Sequence, residues 1–158
     1  MTGLKRHPAL QDFSRDHQRF LTEARNVRWA LDGDEHAQPF ETVVRSLVEF
    51  WNHDGVLHIR EEEEVLLPLA FNDNIGSQPY VIRVVGDHMW LRDRISKIEA
   101  QLESVVDRKL LRTIAERISE HIRFEERVLF EFIQNQLKEE ELDAIQEQSL
   151  AFRLKWRP

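Results

Sequence analysis

His58 and Glu62 stand four residues apart, and so do His121 and Glu125. On a helix, positions i and i+4 lie about 40° apart and one turn along, so each His points the same way as its Glu. Trp51, Val65 and Leu69 share the face of the first pair, and Ile118 and Val128 that of the second, which directs both pairs inward. His17 and His88 fall on apolar stripes of their own. A single His on such a stripe is ordinarily a core histidine with a hydrogen-bond partner. Four imidazoles and two carboxylates together are a different matter. Burying an uncompensated ion costs on the order of several kcal/mol, against a net stability of about 5–15 kcal/mol for a whole domain. A divalent cation would supply the missing positive charge.

The donor set narrows the metal. The 158 residues include no cysteine, so thiolate sites, disulfides and cysteine nucleophiles are excluded within this chain. Imidazole plus carboxylate suits Fe, Mn, Zn or Cu. Two carboxylates from different helices, each one turn from a His, are placed to bridge two ions across a bundle axis. Each ion would then take two His, one oxygen from each Glu and a shared oxo or hydroxo group, leaving one octahedral position for an exogenous ligand.

Four long helices must carry these residues. The first is expected from about Pro8 to Leu31, with Leu10, Phe13, His17, Leu21, Ala24 and Arg28 on one face, ending at Asp32-Gly33-Asp34. The second runs from near Pro39 to Ala70 with Val44, Leu47, Trp51, His58, Glu62, Val65 and Leu69 inward, and Pro68 should bend or end it. The stretch from Phe71 to Pro79 is loop chemistry. A third helix, about Pro79 to Val106, repeats Val81, Val84, His88, Leu91, Ile95 and Leu102. The fourth, about Arg108 to Leu137, repeats Leu110, Ile114, Ile118, His121, Glu125, Val128 and Phe132. Residues 138–158 read as a short capping helix with a frayed end. These patterns predict an all-α chain, an antiparallel up-and-down four-helix bundle over about 8–137 within a single domain spanning 1–158.

The chain also repeats itself. Residues 58–67 read HIREEEEVLL and residues 121–130 read HIRFEERVLF, matching at seven of ten positions. Asp16-His17 and Asp87-His88 form a fainter echo. Helices one and two therefore look like one copy of a hairpin, and three and four like a second, about an approximate two-fold axis.

The order His, then His-x-x-x-Glu with an apolar run ending in Pro, then His, then a second His-x-x-x-Glu, resembles the hemerythrin-like, or HHE cation-binding, family. The segment His58 to Pro68, HIREEEEVLLP, is close to that family's signature, and the likeness extends from about His7 to Leu137. The resemblance implies a non-haem di-iron centre, with Mn or Zn as possible substitutes. By position, His17, His58, His88 and His121 are then terminal ligands, and Glu62 and Glu125 are bridges. It also implies binding or sensing of O2, NO or peroxide, with enzyme-like detoxification or iron-centre repair as the alternative and a redox protein as a partner. Oxygen-carrying members have a second His one turn after the third-helix ligand. Here that position is Arg92, which points instead to bacterial members associated with nitrosative stress and iron-centre repair, with Arg92 near the entrance to meet an anion or a neighbouring carboxylate. Ferritin-like iron-storage proteins use Glu-x-x-His and four carboxylates, the reverse order and a different count. A metal-dependent partner-binding domain is a further reading.

The remaining polar residues are assigned by phase. In the run Glu61 to Glu64 only Glu62 is in register with the stripe, the others forming a solvated face, with Glu61 a candidate for a supporting or alternative ligand role. Asp54, one turn before His58, is a candidate hydrogen-bond partner for a ligand nitrogen. Asp16 and Asp87 sit about 100° from the ligands and receive no role. His7, His36 and His53 read as surface residues. The net charge of −7 carries no basic footprint for nucleic acid or anionic membrane, and no run reaches the roughly 18 apolar residues of a membrane span. The first ten residues hold no apolar leader segment, so a cytoplasmic location is expected.

Overall fold

A computed structural model describes residues 5–158; the first four residues of the N-terminal stretch read above for a leader lie outside them. The described residues are helical, without strands. Helix α1 spans Pro8–Asp32. Helix α2 covers 40–70 and is not uniform: α-helical Phe40–Phe50 and Val56–Glu61 alternate with π-helical turns at Trp51–Gly55 and Glu62–Leu66, before a last α turn at Leu67–Ala70. After a 3-10 turn at Asn72–Asn74, α3 spans Pro79–Glu99. Helix α4 covers 108–136, with a π turn at Glu125–Leu129 between Arg108–Phe124 and Phe130–Gln136. Helix α5 spans Glu139–Trp156.

The ends follow from local chemistry. His7 caps α1 by accepting from the Ala9 N–H, with Pro8 in the first turn, where no donor is needed. Gly33, at φ 67°, closes that helix in the left-handed conformation that glycine adopts without strain. Gln78 and Asp107 cap α3 and α4 through their side chains. Helix α3 ends at Glu99, a full turn or more before the expected Val106, and residues 100–104 form turns. Pro68 follows the widened turn at Glu62–Leu66 and the helix stops two residues later.

Two apolar clusters fill the interior. One gathers Phe20, Ala24, Val27, Leu47, Trp51, Leu91, Ile95, Ile114 and Ile118 with their neighbours. The other gathers Leu10, Phe13, Leu66, Leu67, Val84, Leu129, Phe130 and Ile133. On each of the first four helices, the residues between these clusters include a buried His: His17, His58, His88 or His121. A polar layer thus separates two apolar ones.

The π turns overturn part of the expected stripe. Val128, expected inward, is 38 % exposed, and Phe132 is only half-buried, whereas Leu129, Phe130 and Ile133 are buried. A π turn carries one extra residue, so beyond Glu125 the inward face moves on by one position. The same shift past Glu62 buries Leu66 and Leu67 and leaves Leu69 half-buried.

Residues 138–158 also depart from expectation. They form an eighteen-residue helix, not a short cap with a frayed end, and its Leu142, Ile145 and Phe152 are buried. Helix α5 packs on α1 and α2. Within α2, a Cβ on Gly55 would come to 3.0 Å from the Trp51 ring. Gly55→Val should therefore destabilise the fold by roughly 1–3 kcal/mol through overpacking, measured by urea unfolding of the metal-free protein; an unchanged midpoint would show that Trp51 moves freely.

Candidate metal centre

All six sequence-predicted residues converge, and none is more than 2 % exposed. His58 Nε2 lies 2.9 Å from Glu62 Oε1, and His17 Nε2 lies 2.9 Å from Glu125 Oε2. On the other side, His88 Nε2 lies 3.1 Å from Glu62 Oε2 and His121 Nε2 lies 2.7 Å from Glu125 Oε1. Each carboxylate therefore turns one oxygen to each side. Two groups could hold an ion: His17, His58, Glu62 and Glu125, and then Glu62, His88, His121 and Glu125. In each group the donor atoms lie within 4.8 Å of one another, and both groups share the same two glutamates.

These contacts are close without being hydrogen bonds. Nε2 of His17, His58 and His88 and all four oxygens of Glu62 and Glu125 are buried with no aligned hydrogen-bond partner. Buried polar atoms are normally satisfied, so this many orphans aimed at a common centre fit donors converging on cations. The π turns begin at Glu62 and Glu125 themselves. Such turns are frequent at functional sites, and here each moves the following apolar face by one residue while leaving His and Glu in i, i+4 register.

The other nitrogen of every imidazole is also held. His17 Nδ1 donates to Glu126 at 2.6 Å, and His58 Nδ1 to Asp16 at 3.0 Å. His88 Nδ1 donates to Glu63 at 2.9 Å, and His121 Nδ1 to Asp87 at 3.1 Å. A carboxylate on Nδ1 fixes the ring orientation and tautomer, presenting Nε2 to a metal and raising its basicity.

Sequence reasoning missed all four of these partners, although the signal was present. Asp16 and Asp87 are the shared residues of the faint echo, and Glu63 and Glu126 are one of the two Glu matches in the repeat. Their phase on a single helix is misleading because each supports a His on a neighbouring helix: Asp16 serves His58, Glu63 serves His88, Asp87 serves His121 and Glu126 serves His17. Glu63 is thus not part of a solvated face, and neither is Glu61, which is fully buried. Asp54 is exposed and offers only its backbone carbonyl, to Arg157, so it does not support His58. Of the three histidines read as surface residues, His36 and His53 are exposed, but His7 is half-buried in its cap and bonded to Glu139. Arg92 meets a neighbouring carboxylate, donating to Glu63 at 2.8 Å.

Electrostatics make the metal-free site proton-rich. Burial alone would lower the imidazoles, but the facing carboxylates hold His17, His58 and His88 above their ordinary value. His121 is pushed up to about 9, burial being outweighed by Glu125 and Asp87. Burial likewise opposes ionisation of Glu62 and Glu125, yet the imidazoles keep both carboxyls below the usual range.

The family model described as "Hemerythrin HHE cation binding domain" matches residues 8–133. The chain belongs to that family. The matched HHE domain includes all six converging residues and the four carboxylates behind them, and it stops short of α5. No curated protein and no solved structure matches the chain. Among the described residues no helix is long and apolar enough to cross a membrane.

Proposed function

We propose that the protein is a di-iron member of the family that binds or senses a small ligand such as O2, NO or peroxide. In this reading His17, His58, His88 and His121 are terminal ligands, Glu62 and Glu125 bridge, and the four matched helices run up and down in antiparallel order. The alternation supports that order: α1 and α3 meet the Phe13 cluster before the Phe20 cluster, and α2 and α4 meet them in reverse. The observation that carries the proposal is the sharing of both glutamates by two four-residue groups. A mononuclear site would leave two imidazoles unexplained.

Each ion would take four protein donors, so an octahedral ion keeps positions for exogenous ligands. Iron in that setting supplies reversible binding of, or electron exchange with, the incoming molecule. The protein's part is to exclude bulk water and limit size and charge. Phe13, Phe20 and Phe130 pack their rings against His58 and His17, and an enclosed, aromatic-walled site favours a small neutral ligand over an anion.

Metal analysis and the absorption spectrum of protein purified without air test this directly. Two Fe per chain and a ligand-to-metal band that appears on adding O2 or NO are expected. Reversal of the band on degassing supports binding or sensing, and continuous consumption of NO or peroxide would assign an enzyme-like role instead. One Zn and no Fe per chain would overturn the di-iron assignment.

A further inference from the structure

The carboxylates behind the imidazoles are themselves held by arginines, and the two halves of the centre differ in where these come from. Behind His88 and His121, Glu63 pairs with Arg92 at 2.8 Å and Asp87 with Arg117 at 3.3 Å. Both arginines belong to the helices of the matched domain and are about a third exposed. Behind His17, Glu126 pairs with Arg6 at 2.8 Å. Behind His58, Asp16 Oδ2 receives Arg153 at 2.8 Å and Arg157 at 2.9 Å. Arg153 lies on α5 and Arg157 directly after it, both outside residues 8–133. Their side chains are 19 % and 16 % exposed, so these pairs are better shielded from solvent than those of the other half.

The repeat explains where α5 is received. Glu61 corresponds to Phe124, one of three mismatches between the two segments. Arg153 reaches Glu61 as well as Asp16, with Nε 3.0 Å from Glu61 Oε1, and Ser149 donates to the same carboxylate. In the other copy, Phe124 lies under Arg83 and against Tyr80. One guanidinium therefore joins α5 both to α2 and to the carboxylate that orients His58. The planar fork suits this double contact, which a lysine ammonium reproduces only in part.

We propose that Arg153 and Arg157 are positioning residues for one half of the metal centre, so that docking of α5 sets the metal affinity of the His17–His58 position and not of the His88–His121 position. This rests on the two-ion reading above. Without the two arginines Asp16 is free to turn towards solvent, and the His58 ring loses the acceptor that aims its Nε2.

The test is titration of the full-length, metal-free protein with Co(II), read by visible absorption and by metal analysis. The wild-type chain should bind two ions. In Arg153→Ala/Arg157→Ala one ion should bind as in wild type and the second about 10–100-fold more weakly, the range for lost support of a ligand. Arg153→Lys should recover part of the loss, and Arg117→Ala should leave the α5-dependent position unchanged. Two ions with wild-type affinities in the double variant would overturn the proposal. Equal weakening at both positions would also overturn it, since that is the signature of a general loss of packing. If the double variant does not fold, the single variants Arg153→Gln and Arg157→Gln decide: selective weakening of one position in either upholds the proposal, and two wild-type affinities in both reject it. Fewer than two ions in the wild-type chain would instead defeat the two-ion reading itself.

Discussion

Replacing Glu125 by Ala will lower the metal content from two ions per chain to one or none, and Glu62→Ala will do the same. Each carboxylate turns one oxygen to each pair of imidazoles, and so in the proposed two-ion reading it would face both positions. Loss of either removes a donor from both groups at once and takes away one of the two negative charges that a pair of divalent cations would share. Substitution of a terminal His removes a donor from one group alone, so the glutamates should have the larger effect. Stability should follow. A ligand present at a thousand times its Kd stabilises the folded state by about 4 kcal/mol, which is on the order of 10 °C in Tm for a chain of this length. Wild-type protein should gain that much on metal addition, and the variants little or nothing. The metal-free variants should be weaker as well, because removing one member of a buried charge cluster costs about 3–5 kcal/mol. Metal analysis together with calorimetry with and without metal checks both parts. Two ions per chain in the Glu62→Ala/Glu125→Ala protein would show that the glutamates do not bridge.

That helical periodicity brings out these six residues and not the four behind them has a physical explanation. His and Glu at i, i+4 share a helix face whatever the tertiary packing, so periodicity alone brings out His58 with Glu62 and His121 with Glu125. Partners such as Asp16 for His58 and Glu126 for His17 act between helices. Their direction depends on how neighbouring helices are rotated, which a single-helix phase does not contain. The repeat held that information in another form: every one of the four supporting carboxylates is an identity shared by the two halves. The π turns were hidden for a related reason. An extra residue in one turn leaves composition untouched and appears only as a shift of the apolar stripe, from Val128 and Phe132 to Leu129 and Ile133. The extent of α5 is faint in the apolar pattern because its buried face is partly polar. Ser149 and Arg153 reach Glu61 there, and an apolar pattern search passes over such a face.

Metal-free protein should lose stability as pH rises above 6.5, and metal-loaded protein should not. In the metal-free chain the imidazoles sit above their ordinary value because Glu62, Glu125 and the supporting carboxylates face them. A group whose value is raised on folding stabilises the folded state fully below its unfolded value, and that contribution is lost as pH rises through the folded one. For His121 the window runs from 6.5 to about 9, a difference worth roughly 3 kcal/mol. Glu62 and Glu125, held low by the same imidazoles, add stability above their unfolded value of 4.5, and it is lost only as pH falls through their folded values. Metal-free protein should therefore be most stable between about pH 4.5 and 6.5 and lose Tm steadily towards pH 9. Metal abolishes that loss: a loaded imidazole holds no proton there to lose, so metal-loaded protein should gain stability up to about pH 6.5, where the unfolded imidazoles finish shedding theirs, and stay level above it. A bound imidazole must give up its Nε2 proton, so cations compete with protons and affinity rises as pH rises. Binding at pH 7 should release protons, measurable by calorimetry in buffers of different ionisation enthalpy. The metal-induced gain in Tm should widen from pH 6.5 to pH 9. Parallel curves for the two forms, or binding without proton release, would show that the four imidazoles are already neutral in the metal-free fold and that the glutamates alone hold the site's charge.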